Sequence, residues 1–161
     1  MKFSIEKNED NKIKLELEEY IPLKIICSGE EEPVNFFSYS KDKTSLLEIA
    51  VGVYSGLIKK ITLLLSKDYV IFQSKMIIDE INYEYGIIKF EEYDVVECGK
   101  FTTYLFNDGI KIVLSNENSA KYIIIDTLYI GLSNSSEITE ICMTQLNVEE
   151  IRFIKNELEF Q

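Results

Sequence analysis

The chain has 161 residues, 46% apolar and 28% charged, a size and balance that predict one folded domain over residues 1–161 and exclude a disordered chain. Acidic residues outnumber basic ones 28 to 17, giving a formal charge of −11, and Arg152 is the sole arginine. This disfavours direct contact with nucleic acid, which needs clustered cations and arginines that read base edges, and disfavours anionic membrane surfaces for the same reason.

The segment from Met1 to Lys7 lacks the apolar stretch of a signal peptide, and no apolar run reaches membrane-spanning length. Ile13 to Glu18 alternates strictly between apolar and charged residues, the pattern of a half-buried antiparallel strand. Tyr20, Ile21 and Leu23 to Ile26 continue as a second strand after a bend at Pro22. Ser28 to Pro33 combines turn residues with three adjacent carboxylates and reads as an exposed loop. Leu46 to Val53 and Leu57 to Leu65 flank Tyr54-Ser55-Gly56 and predict a hairpin, with Ile61, Leu63 and Leu65 on one face of its second strand and Lys60, Thr62 and Leu64 on the other. Asn107-Asp108-Gly109 is the strongest turn signal, separating Phe101–Phe106 from Ile110–Leu114; Asp-Gly suits a turn with positive φ. Tyr122–Ile125 and Leu128–Leu132 are further strands, and the short connections predict antiparallel neighbours. At Leu146 the period changes. Asn147 caps a helix, Glu150 completes a capping box, Leu146 and Ile151 form a hydrophobic staple, and Ile151, Ile154 and Leu158 share the buried face. The expected fold is mainly β: an antiparallel sheet, a β-sandwich or a partly open barrel, with a C-terminal helix packed on it.

Catalytic chemistry has little to work with. The chain contains no histidine, which removes the Ser-His-Asp and Cys-His arrangements and the commonest general base. No GxxxxGK[ST] or GxGxxG loop occurs, and the glycines are dispersed. Cys27, Cys98 and Cys142 are widely spaced, with no CxxC pair, so free thiols in a reducing compartment are expected and the protein is read as cytoplasmic. Cys98, beside Gly99 and near Lys100, is read as structural. Glu91, Glu92, Asp94 and Glu97 are the remaining candidates. Strand alternation places Glu92 with Asp94 on one face and Glu91 with Glu97 on the other. Paired carboxylates can hydrolyse glycosides or hold Ca²⁺. However, the chain has no tryptophan to line a sugar cleft and no D-x-[DN]-x-[DN]-G loop. The expectation is a protein that is not an enzyme and that uses no metal or cofactor. Without histidine, stability and binding should also change little between roughly pH 5.5 and 8.

The charge favours a basic protein partner, because opposite charge speeds encounter; solubility explains it equally without one. The acidic groups cluster at Glu16, Glu18 and Glu19, at Glu30 to Glu32, at Asp79, Glu80 and Glu84, and at Glu91, Glu92, Asp94 and Glu97. Tyr83, Tyr85 and Tyr93 stand among the last two groups. Tyrosine supplies contact area and a polar tip at low entropic cost. The candidate partner-binding surface is therefore Asp79, Glu80, Tyr83, Glu84, Tyr85, Glu91, Glu92, Tyr93, Asp94 and Glu97.

The hairpin Leu47-Glu48-Ile49-Ala50-Val51-Gly52, then Ser55-Gly56-Leu57-Ile58-Lys59-Lys60-Ile61-Thr62-Leu63, resembles a segment of small bacterial immunity proteins from contact-dependent inhibition and polymorphic toxin systems. The resemblance implies a cytoplasmic, non-enzymatic protein that binds one cognate toxin domain, commonly a nuclease, and blocks it. A nuclease carries positive charge to hold its substrate, which fits an acidic inhibitor. No site residue carries over, because the resembling residues are scaffold. Two other readings are an assembly subunit, homo-oligomeric through its sheet edges, and a carbohydrate-active enzyme using Glu92 and Asp94.

Overall fold

The strand-forming patterns build two sheets that share one core, with a C-terminal helix packed on it. The computed structural model describes residues 2–7, 10–27, 29–78, 82–92 and 99–161. β1 (Lys2–Lys7) belongs to the larger sheet. The smaller one begins with β2 (Ile13–Leu15) and β3 (Leu23–Cys27), which pair antiparallel. The chain reverses before Pro22, at Glu19 and Tyr20: Tyr20 takes a φ of 68°, and the Ile21 N–H donates to the Glu18 carbonyl at 3.1 Å.

β4 (Val34–Lys41), β5 (Ser45–Gly52) and β6 (Ile58–Ser66) complete an antiparallel five-stranded sheet, in the order β2-β3-β6-β5-β4. β5 and β6 are the predicted hairpin, but the register skips at Lys59 and Leu64. Each extra residue is a β-bulge that switches the faces of the residues beyond it. Ile61 and Leu63 stay in the core, while Leu65 turns partly outward and Ser66 takes the buried position. Strict alternation therefore misplaces Leu65. Gly56 ends the turn with a φ of 73°. Its carbonyl accepts the Phe90 N–H at 2.8 Å, so the two sheets meet at this backbone, where an added Cβ would strike the Phe90 carbonyl.

The loop before Pro33 is only partly the exposed loop expected. Glu30 and Glu31 face solvent, but Glu32 straps the segment to the hairpin tip. Its carboxylate accepts the Tyr54 and Ser55 N–H groups at 2.8 and 2.9 Å and pairs with Lys59 at 3.0 Å. The Ser55 hydrogen bonds, then Lys59 and Tyr54, hold this carboxyl at about 2, well below its ordinary 4.5. A depressed folded-state value stabilises the protein above the unfolded value, and that contribution is lost as the pH falls through the folded one. Glu32→Gln therefore lowers the melting temperature at neutral pH, and the gap from wild type closes as the pH falls from 4.5 towards 2. A gap that stays constant across that range in thermal melts refutes the strap.

The larger sheet adds β7 (Tyr69–Ile71), β8 (Tyr83–Glu92), β9 (Thr102–Leu105), β10 (Ile110–Val113), β11 (Lys121–Ile125), β12 (Leu128–Leu132) and β13 (Ile138–Met143), in the order β1-β8-β11-β12-β13-β10-β9-β7. It is mixed: β8 runs parallel to β11, and β7 parallel to β9. Both parallel pairs join strands that are not consecutive, with enough chain between them for a crossover. Asn107-Asp108-Gly109 does reverse the chain between β9 and β10, the Phe106 N–H donating to the Gly109 carbonyl at 2.8 Å. Neither Asp108 nor Gly109 has a positive φ. Glycine is needed here for space, since a Cβ would lie 2.7 Å from the Met143 carbonyl oxygen.

α1 (Val148–Glu159) starts as its sequence predicts. The Asn147 side chain accepts the Glu150 N–H at 2.8 Å, and the Glu150 carboxylate accepts the Asn147 N–H at 2.9 Å. Leu146, Ile154 and Leu158 enter the common core, with Ile151 packed alongside. Past the helix end, the Gln161 amide bonds both backbone groups of Ser66, at 2.6 and 2.9 Å. The Ser66 hydroxyl meets that of Thr103 at 2.7 Å, joining β6 to β9. The fold is thus mainly β, in two sheets that do not close into a barrel, with one helix among the described residues.

Candidate functional site

Residues paired across neighbouring strands point to the same face of a sheet. Tyr83 and Tyr85 on β8 stand opposite Tyr122 and Ile124 on β11. Ile124 faces Tyr129 and Tyr122 faces Gly131 on β12, and these face Cys142 and Glu140 on β13. Lys111 and Val113 on β10 come next, then Tyr104 and Thr102 on β9. The opposite face carries Ile123, Ile130, Ile141 and Ile112 into the core. Five of the ten tyrosines, Tyr83, Tyr85, Tyr104, Tyr122 and Tyr129, thus share the outer face of the eight-stranded sheet.

An open cleft of about 710 Å³ lies on this face, between Lys111, Val113, Tyr122, Glu140, Ile77 and the loop 115–120. Tyr122 and Glu140 sit on strands separated by β12, and the Tyr122 hydroxyl donates to the Glu140 carboxylate across the strand at the level of Gly131. A Cβ on Gly131 would come within 2.7 Å of the Thr139 hydroxyl and 2.9 Å of the Glu140 side chain. The Ser119 hydroxyl meets that of Thr139 at 2.6 Å and ties the loop wall to β13. The Tyr129 ring stands edge-on to Tyr122, centroids 6.4 Å apart.

Burial, then the hydrogen bond to Glu140, pushes the Tyr122 hydroxyl up, and burial, then the Glu140 charge, does the same to the Cys142 thiol. Burial likewise pushes the Cys27 thiol up to about 12. Hydrogen bonding to Lys24 lowers the Glu16 carboxyl, and Glu18 raises Lys24. Each of these shifts moves a group away from the window of roughly pH 5.5 to 8.

The described members of the sequence-derived surface fall into two groups. Tyr83 and Tyr85 are half exposed and pack edge to face, centroids 5.8 Å apart. Glu84 alternates to the other side of β8 and pairs with Lys121 at 2.6 Å. Glu91 and Glu92 are exposed at the far end of the strand, about 20–30 Å away by strand rise. Glu91 is the extra residue at a bulge opposite β1. Asp79, Glu80, Tyr93, Asp94, Glu97 and Cys98 lie outside the described residues. Sequence reasoning missed Tyr104, Lys111, Tyr122, Tyr129 and Glu140, because a shared face across five strands depends on sheet order and register. Each tyrosine sat in a strand-forming run, but a period of two does not say which face is outer.

Among the described residues, no group of three or more His, Cys, Asp or Glu is placed to hold a metal ion, and no helix is long and apolar enough to cross a membrane. The sequence matches no family model, and comparison with curated proteins returns no match.

Proposed function

We propose that the protein is a non-catalytic, immunity-type inhibitor that binds and neutralises a basic toxin domain, such as a nuclease, in the cytoplasm. The observation that carries this reading is the half-exposed Tyr83–Tyr85 pair on the tyrosine-bearing outer face of a protein with a charge of −11. Tyrosines anchor protein interfaces, and the negative field draws in a basic partner. Co-expression tests the reading. The basic toxin domain encoded beside this gene arrests growth when expressed alone, and growth returns when this protein is co-expressed. A neighbouring domain whose toxicity persists, or a gene with no such neighbour, overturns it.

A further inference from the structure

We infer that the cleft on the outer face of the eight-stranded sheet receives an arginine side chain of the partner, its guanidinium pairing with Glu140 beside the ring of Tyr122. The inference rests on the proposed function for the source of the arginine, but not for the chemistry of the cleft. The Tyr122 hydroxyl and the Cys142 thiol both use Oε1 of Glu140. Oε2 makes no hydrogen bond or ion pair with any described residue. Glu140 lines the open cleft directly, between Tyr122 and Lys111, while the Ser119 and Thr139 hydroxyls and the Glu140 stem fill the space over Gly131. A planar guanidinium can donate to the open Oε2 while lying flat against an aromatic ring, whereas an ammonium binds as a point charge. The net charge of −11 raises the local concentration of cations at the surface.

Lys111 supplies the counter-argument and, with it, a test of sign. It stands diagonally beside Glu140 on the same face and makes no ion pair with a described residue. If Glu140 sets the chemistry, the Lys111 ammonium opposes the ligand. If Lys111 sets it, the cleft takes an anion.

Nuclear magnetic resonance titrations of the full chain with N-acetyl-arginine-N-methylamide, its lysine counterpart and acetate separate these cases. The arginine probe should give saturable shifts at Ser119, Tyr122, Gly131 and Glu140, with weaker shifts from the lysine probe. Glu140→Gln should weaken arginine binding about tenfold, the size expected for a lost charge-assisted bond, and Lys111→Met should strengthen it. Tyr122→Phe keeps the ring and releases the carboxylate, so it should bind arginine at least as well as wild type. Its behaviour decides the matter if Glu140→Gln fails to fold. No saturable arginine shift, arginine binding that survives Glu140→Gln, arginine binding lost in Tyr122→Phe, or acetate binding abolished by Lys111→Met overturns the inference. A toxin domain that binds Glu140→Gln as tightly as wild type overturns it too, while leaving the proposed function standing. Arginine binding without any neutralised toxin domain leaves the cleft chemistry standing and removes the proposed function.

Discussion

Replacing Phe37 with alanine lowers the free energy of unfolding by about 3–5 kcal/mol, the usual cost of deleting a large buried aromatic side chain. Phe37 has no exposed surface. Its ring stands edge-on to Tyr39 in its own strand, centroids 6.2 Å apart, and to Phe90 of the other sheet at 5.4 Å. Phe90 in turn packs edge-on to Phe3 at 6.0 Å. The residue therefore spans the space between the sheets. Collapse around the vacancy is limited, because Gly56 and Phe90 already hold the sheets together by backbone at 2.8 Å. With whole-domain stabilities of about 5–15 kcal/mol, the loss removes about a fifth of the total or more. In urea or guanidinium titrations the midpoint should fall with the slope unchanged. Phe37→Leu keeps most of the volume and should cost under about 1.5–2 kcal/mol. An alanine variant that loses under about 1 kcal/mol shows that the sheets do not depend on this contact.

How much of the fold was legible in the sequence depends on the range of the interaction. Asn147, Glu150 and Leu146 act within one helical turn, and the capping box forms as their spacing predicts. The β5–β6 and β11–β12 hairpins likewise follow from local alternation and short turns. Leu65 is misread because a single bulged residue, Leu64, reverses the faces after it, and nothing in a run of three leucines marks which one bulges. Asp108-Gly109 is recognised as a turn for a reason the structure does not use: its glycine answers to Met143, more than thirty positions away. The parallel pairings of β8 with β11 and of β7 with β9 depend on long connections that local signals cannot see. The same limit applies to the site. Tyr83 and Tyr85 stand out within a charged stretch, whereas Tyr122, Tyr129 and Glu140 become neighbours only through the order of three strands.

Truncating Tyr83 and Tyr85 together to alanine raises the Kd for the toxin domain by about 30-fold or more, the effect of losing one interface anchor worth at least about 2 kcal/mol. The side chains are 50% and 45% exposed and pack on each other, so stability should fall by about 1–2 kcal/mol and the domain stays folded. That separates lost binding from lost folding. The loss should fall on dissociation, because the pair provides contact area rather than long-range attraction. The carboxylates Glu91 and Glu92, at the far end of β8, act differently. Their field extends about 8–10 Å at physiological salt, so Glu91→Gln with Glu92→Gln should slow association, with an effect that fades as salt is added. Measuring both rate constants for the two double variants resolves steering from anchoring. A tyrosine double variant that dissociates at the wild-type rate places the contact elsewhere on the protein, and a salt-independent association rate removes the basic partner from the proposal.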